Sequence, residues 1–141
     1  MSYIYAIIAG AIMSLQGVIN TRLGDKIGVL ETNAFVQGTA FVLSLAVACI
    51  FGKGDFTSLF KTDWYYLTGG VLGVVITITV MLAMSNSSPA IAVSVILVSQ
   101  LLVAAGIDYF GIIGTEKVPF GENKFIGLII MIVGIIVFKI K

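Results

Sequence analysis

The sequence predicts an all-α membrane protein with five transmembrane helices, and three observations predict it. Hydrophobic residues make up 59% of the 141 residues and charged residues 11%, the latter less than half the roughly 25% usual in soluble domains. The mean hydropathy is +1.12. The apolar residues gather into long runs separated by short polar connectors. A soluble fold of this size keeps a large share of its area in water and could not cover so much apolar side chain. The surplus must face lipid.

The expected spans are 3–21, 33–51, 64–85, 89–113 and 124–140, all within one transmembrane domain, 1–141. Crossing the hydrocarbon core takes about 20 residues at about 1.5 Å each. The first four runs reach that length or nearly so. The fifth is short, and Lys139 and Lys141 would have to extend their ammonium groups to the interface to lengthen it. The connectors carry turn chemistry. Asn86-Ser87-Ser88-Pro89 ends one helix and opens the next, with Ser87 or Ser88 able to cap the new N-terminus and Pro89 suited to its first turn. Gly52-Lys53-Gly54-Asp55 opens a longer polar loop that reaches Asp63, and Gly121-Glu122-Asn123-Lys124 precedes the fifth span. Trp64, Tyr65, Tyr66, Tyr109 and Phe110 are among the aromatics at the expected boundaries, as in an interfacial belt. Met1-Ser2-Tyr3-Ile4 lacks the basic segment of a signal peptide and reads straight into the first span.

Composition also excludes. There is no histidine, which removes Ser-His and Cys-His nucleophile pairs and most zinc and haem sites. The single cysteine, Cys49, sits inside an apolar run and reads as a small hydrophobe. Gly69-Gly70-Val71-Leu72-Gly73 lacks the Lys-Ser/Thr of a phosphate loop. No cofactor, no metal and no enzymatic activity is expected. A net charge of +1 gives no basis for a nucleic-acid partner.

The basic residues are the informative part. With five spans the chain ends lie on opposite sides. The N-terminal side, here side A, receives Lys53, Lys61, Lys117 and Lys124; side B receives Arg22, Lys26, Lys139 and Lys141. Orientation follows a Lys/Arg imbalance between short loops, and here there is none. The simple reading is dual topology, the same chain inserting both ways, with itself as an antiparallel homodimer or with a paralogous partner. The plain alternative is that one misplaced helix end makes the tally coincidental. An antiparallel pair would generate the inverted symmetry that many transporters carry as internal repeats, with the substrate near the midplane between them.

Polar residues within the spans mark candidate sites. Gln16 and Asn20 are four apart and share a helix face, and Asn33 and Gln37 repeat the spacing. Both pairs lie toward side B, and Thr77, Thr79 and Ser94 approach the same level. One reading is a polar vestibule open to side B. The other is interhelical hydrogen bonding at about 0.6 to 2 kcal/mol per bond. Asp108 is the one acid deep within an expected span, on the face of Gln100 and Ala104. A carboxylate there faces protein or a water-filled cavity, or is protonated. It is either a coupling acid for protons or cations or a structural acid near the side-A interface, bonded to a helix end or to Lys117. The spacing of Gly69 with Gly73, and of Gly127 with Gly134, suggests close helix packing.

The stretch Gly10-Ala11-Ile12-Met13-Ser14-Leu15-Gln16-Gly17-Val18-Ile19-Asn20-Thr21-Arg22-Leu23-Gly24 resembles the opening of the YdcZ family. Ser99-Gln100-Leu101 followed by Asp108-Tyr109-Phe110-Gly111 resembles that family's fourth helix. Gly114-Thr115-Glu116, with Gly127 and Gly134 in the last span, is similar to a wider pattern of the drug/metabolite transporter superfamily. The resemblance covers nearly the whole chain. It implies a multi-pass protein of the bacterial inner membrane, half of a ten-helix inverted-repeat transporter, described as an exporter. Related small multidrug exporters carry a membrane-embedded Glu in the first helix for proton coupling. This chain has Gln16 in its first span, so a neutral or anionic metabolite is as compatible as a cation.

The combined expectation is a small dual-topology transporter of a metabolite or drug-like molecule, working by alternating access as a dimer in membrane lipid. The substrate would be bound by Gln16, Asn20, Gln37, Ser99 and Gln100, between antiparallel protomers. A dual-topology ion channel and a non-transporting membrane assembly subunit are the alternatives.

Overall fold

The computed structural model describes residues 1–118 and 121–140; Lys141, one of the side-B cations, lies outside them. The helices are α1 (Ser2–Ile27), α2 (Val29–Phe51), α3 (Gly69–Ser85), α4 (Pro89–Phe110) and α5 (Glu122–Lys139). A 3-10 segment, Trp64–Thr68, leads directly into α3, and another, Phe56–Lys61, lies in the loop before it. Among the described residues four helices are long and apolar enough to cross a membrane: α1, α2, Trp64–Ser85 and α4. The fifth holds 18 residues, with Glu122 and Lys124 in its first turn and Lys139 in its last.

The chain divides into two units, Met1–Asn86 and Ser87–Lys141. In the first, α1, α2 and α3 pack against one another; in the second, α4 packs against α5.

Helix α1 continues well past the apolar run. The expected span stops at residue 21 and the residues after it are mostly polar, yet Arg22, Leu23 and Lys26 are good helix formers, and the helix persists to Ile27. The reversal into α2 then falls on one residue. Gly28 has φ +101° and ψ 149°, a backbone that side-chain-bearing residues rarely adopt. Its N–H donates to the Gly24 carbonyl and its carbonyl accepts from the Thr32 N–H, so the turn closes one helix and starts the next without a loop.

Between α3 and α4 the expected cap forms. Ser88 Oγ accepts from the Ile91 N–H at 3.4 Å, with Pro89 in the first turn. Helix α4 ends on Gly111 in the left-handed conformation (φ 62°), whose N–H donates to the Ile107 carbonyl. The chain beyond is tied back, since the Val118 N–H donates to the Asp108 carbonyl at 2.9 Å.

Few side chains are buried, and many of the buried ones are polar. Asn20, Thr21, Thr32 and Asn33 are buried alongside Met81 and Met84, while Phe41, Leu43 and Ile50 on α2 are exposed. A water-soluble protein would invert that distribution. In lipid it is ordinary, because apolar side chains gain nothing by leaving hydrocarbon and helices associate through small and polar residues.

Candidate functional site

The first unit places its polar residues on the faces where α1, α2 and α3 meet. Residues Met13, Gln16, Gly17 and Asn20 recur at three- and four-residue steps and form one stripe of α1. Ile76, Thr77, Val80 and Met81 form the matching stripe of α3. Together these stripes line a small cavity of about 60 Å³. The helices approach closely because position 17 is glycine. A β-carbon built there would stand 2.6 Å from Met84 Cε, 2.9 Å from its Sδ and 3.3 Å from Val80 Cγ1.

Gln37 reaches this region from α2. Its Nε2 donates to Thr77 Oγ1 at 3.3 Å, and Thr77 in turn donates to the Gly73 carbonyl at 2.9 Å. This is an interhelical bond of the kind that joins membrane helices. Gln16 and Asn20 differ. Both line the cavity, Gln16 is exposed and Asn20 is 6% exposed. Neither side chain makes a hydrogen bond among the described residues. Near the start of α2, Thr32 Oγ1 and Asn33 Oδ1 are fully enclosed and likewise lack a hydrogen-bond partner among the described residues. An unpaired buried polar atom costs about 1 to 3 kcal/mol, so this interior holds more polar capacity than its own contacts satisfy.

The remaining expected site residues lie elsewhere. Ser99 and Gln100 are exposed on α4, in the second unit. Thr79 is exposed and spends its hydroxyl on the Val75 and Ile76 carbonyls of its own helix. Ser94 donates to the Ala90 carbonyl. Asp108 is half-buried and lines a groove between α4 and α5 rather than meeting Lys117, whose side chain instead lies against Gly111. Of the paired glycines, a β-carbon built on Gly73 would come within ordinary contact of Gln37 Nε2, but one built on Gly69, Gly127 or Gly134 would meet nothing within 4 Å. The close helix approach therefore falls at Gly17, which the spacing argument did not single out. Among the described residues no three His, Cys, Asp or Glu side chains gather as a metal site would require.

The first unit thus sets buried polar side chains within otherwise apolar helices. The family model described as "Putative inner membrane exporter, YdcZ" matches residues 1–137. The chain belongs to this family. It is a multi-pass protein of the inner membrane. Searches of curated proteins and of solved structures found no match.

The YdcZ match covers both units, so the features of each belong to one family unit. Sequence reasoning missed Thr32 and the two methionines. Thr32 directly precedes Asn33 but stands about 100° around the helix from the Asn33–Gln37 face, so the four-residue spacing could not mark it. Met81 and Met84 lie four and seven residues after Thr77, on its face, so only Thr77 hinted at the side of α3 that meets α1.

Proposed function

We propose that this YdcZ-family chain is a small exporter that works by alternating access as an antiparallel, dual-topology dimer. Gln16, Asn20 and Gln37 of each protomer contribute to the substrate site, joined by Ser99 and Gln100 across the dimer. One observation carries the reading: Gln16 and Asn20 open onto a cavity, and among the described residues neither side-chain amide makes a hydrogen bond. A polar side chain held in a membrane helix without a protein partner is costly and marks a pathway or site.

The cavity's size supports the dimeric part. Its roughly 60 Å³ holds a few water molecules and falls far short of the roughly 300 to 1,000 Å³ of ordinary ligand pockets. Two such units facing each other in opposite orientations enlarge it and create the inverted repeat of larger transporters. For this arrangement α5 must cross the bilayer. Its apolar stretch, 125–138, spans about 21 Å at 1.5 Å per residue. Lys124 and Lys139 flank it and can reach the interfaces by extending their side chains.

This scheme needs no carboxylate in the first span, and residues 3–21 hold none. Gln16 offers an amide that donates and accepts, which suits a neutral or anionic metabolite as well as a cation. The chemistry is therefore transport rather than catalysis.

Purified protein in liposomes provides the test. Counterflow of a labelled panel of amino acids, organic acids, sugars and cationic dyes is expected to reveal one class taken up saturably and by exchange. Ion currents at channel rates would replace the transporter with a dual-topology channel. Absence of any flux from a correctly inserted, dimeric preparation would leave an assembly subunit instead.

A further inference from the structure

The second unit contains a groove that the transport reading does not use. It has a volume of about 500 Å³ and runs between α4 and α5. Leu101, Ala104 and Asp108 line it from α4, and Lys124, Leu128 and Met131 from α5. The order of these residues makes the two helices antiparallel along the groove: Asp108 and Lys124 mark one end, Leu101 and Met131 the other. Seven residues separate the ends on each helix, or about 10 Å. Gly127 carries no side chain into the space, and a β-carbon built there would meet nothing within 4 Å.

The polarity is arranged along the groove's length. Its charged end lies where α4 stops at Gly111 and α5 begins after Gly121, and an α4 that crosses the bilayer brings that end to the membrane surface. The rest is aliphatic. At the charged end an acid and a base face the same space without pairing. Neither Asp108 nor Lys124 has an ion-pair partner or a side-chain hydrogen bond among the described residues. An occupant that satisfies both must carry a cation and an anion close together, with a hydrocarbon tail directed inward.

We propose that this groove binds a zwitterionic phospholipid of the phosphatidylethanolamine type. The primary ammonium donates to the Asp108 carboxylate, the phosphate accepts from the Lys124 ammonium, and one acyl chain lies along Ala104, Leu101, Leu128 and Met131. Charge-assisted hydrogen bonds of this kind are about twice as strong as neutral ones. Headgroup chemistry sets the selectivity. A phosphatidylcholine headgroup has no N–H to donate, and a phosphatidylglycerol headgroup brings no cation to Asp108. The inference goes beyond the transport reading and does not depend on it, since binding is read without flux.

Native mass spectrometry of the delipidated full-length protein tests it, with phosphatidylethanolamine, phosphatidylcholine and phosphatidylglycerol of matched acyl chains competing for binding. The expected result is a preference of about tenfold for phosphatidylethanolamine, equivalent to about 1.4 kcal/mol. Asp108→Asn is expected to reduce that preference to the phosphatidylcholine level, and Lys124→Gln to weaken all three lipids. Equal binding of the three by the wild-type protein overturns the proposal without recourse to any variant. So does a preference that survives Asp108→Asn. A groove filled by a second protomer, seen as a dimer from which all three lipids are excluded alike, overturns it as well.

Discussion

Asn20→Leu is expected to reduce transport by tenfold or more and to leave the fold as stable as before or about 1 kcal/mol more stable. The two side chains share the same branching and heavy-atom count, and the cavity that Asn20 lines has room for the larger methyl groups. Asn20 is buried and makes no side-chain hydrogen bond among the described residues, so the substitution removes a poorly satisfied amide rather than a contact. The loss of flux follows from the other side of the same fact: a site built to hydrogen-bond a substrate discriminates strongly once its polar group is gone. Counterflow of the best-transported member of the metabolite panel, read beside unfolding of the same preparation, checks both halves. Retained flux with a weakened fold or dimer would make Asn20 an interhelical joint and shift the site away from it. Gln37 behaves differently in this account, because its bond to Thr77 means that removing it alters packing and site together.

Gly17→Leu is expected to have the largest effect on stability, a loss of about 2 to 3 kcal/mol, in the range that overpacking of a filled interior produces. Gly17→Ala is expected to cost less than about 1 kcal/mol. The difference lies in what each side chain meets. An added β-carbon encounters mainly the terminal Sδ and Cε of Met84, and an unbranched thioether chain can move aside. Three further carbons have nowhere to go between α1 and α3 except by separating them. Reversible unfolding in mixed detergent micelles measures the two variants. Equal and negligible losses would mean that α1 and α3 do not pack at this level.

Much of the architecture was legible because its causes are local. Apolar runs of spanning length mark helices wherever water is absent, and the Ser88-Pro89 start of α4 announces itself by capping chemistry. The four-residue spacing of Gln16 and Asn20 places them on one face whatever that face meets. What failed to show was set by contacts between distant segments or by a single backbone angle. The stretch 22–26 is mostly polar and looks like a loop, but its residues tolerate a helix, and only the left-handed geometry at Gly28 fixes where the reversal occurs. The glycine pairs on α3 and α5 could not reveal that the tight approach is at Gly17, because spacing within one helix does not say which neighbour it faces. The groove was hidden for the same reason. The five-span topology puts Asp108 and Lys124 toward the same side, but which faces of α4 and α5 meet to form the groove is not written in the spacing of either helix.

The dual-topology dimer rests on where the C-terminus emerges, and α5 decides that. If α5 crosses, the basic residues are shared evenly between the two faces. If it stays on the surface, Lys53, Lys61, Lys117, Lys124, Lys139 and Lys141 gather on one face against Arg22 and Lys26, and such an imbalance would impose a single orientation. The direct measurement is a pair of reporters fused to the C-terminus, one active only in the cytoplasm and one only outside it. The account predicts comparable signal from both. Signal from one reporter alone, in cells that hold no oppositely inserted paralogous chain, would contradict it.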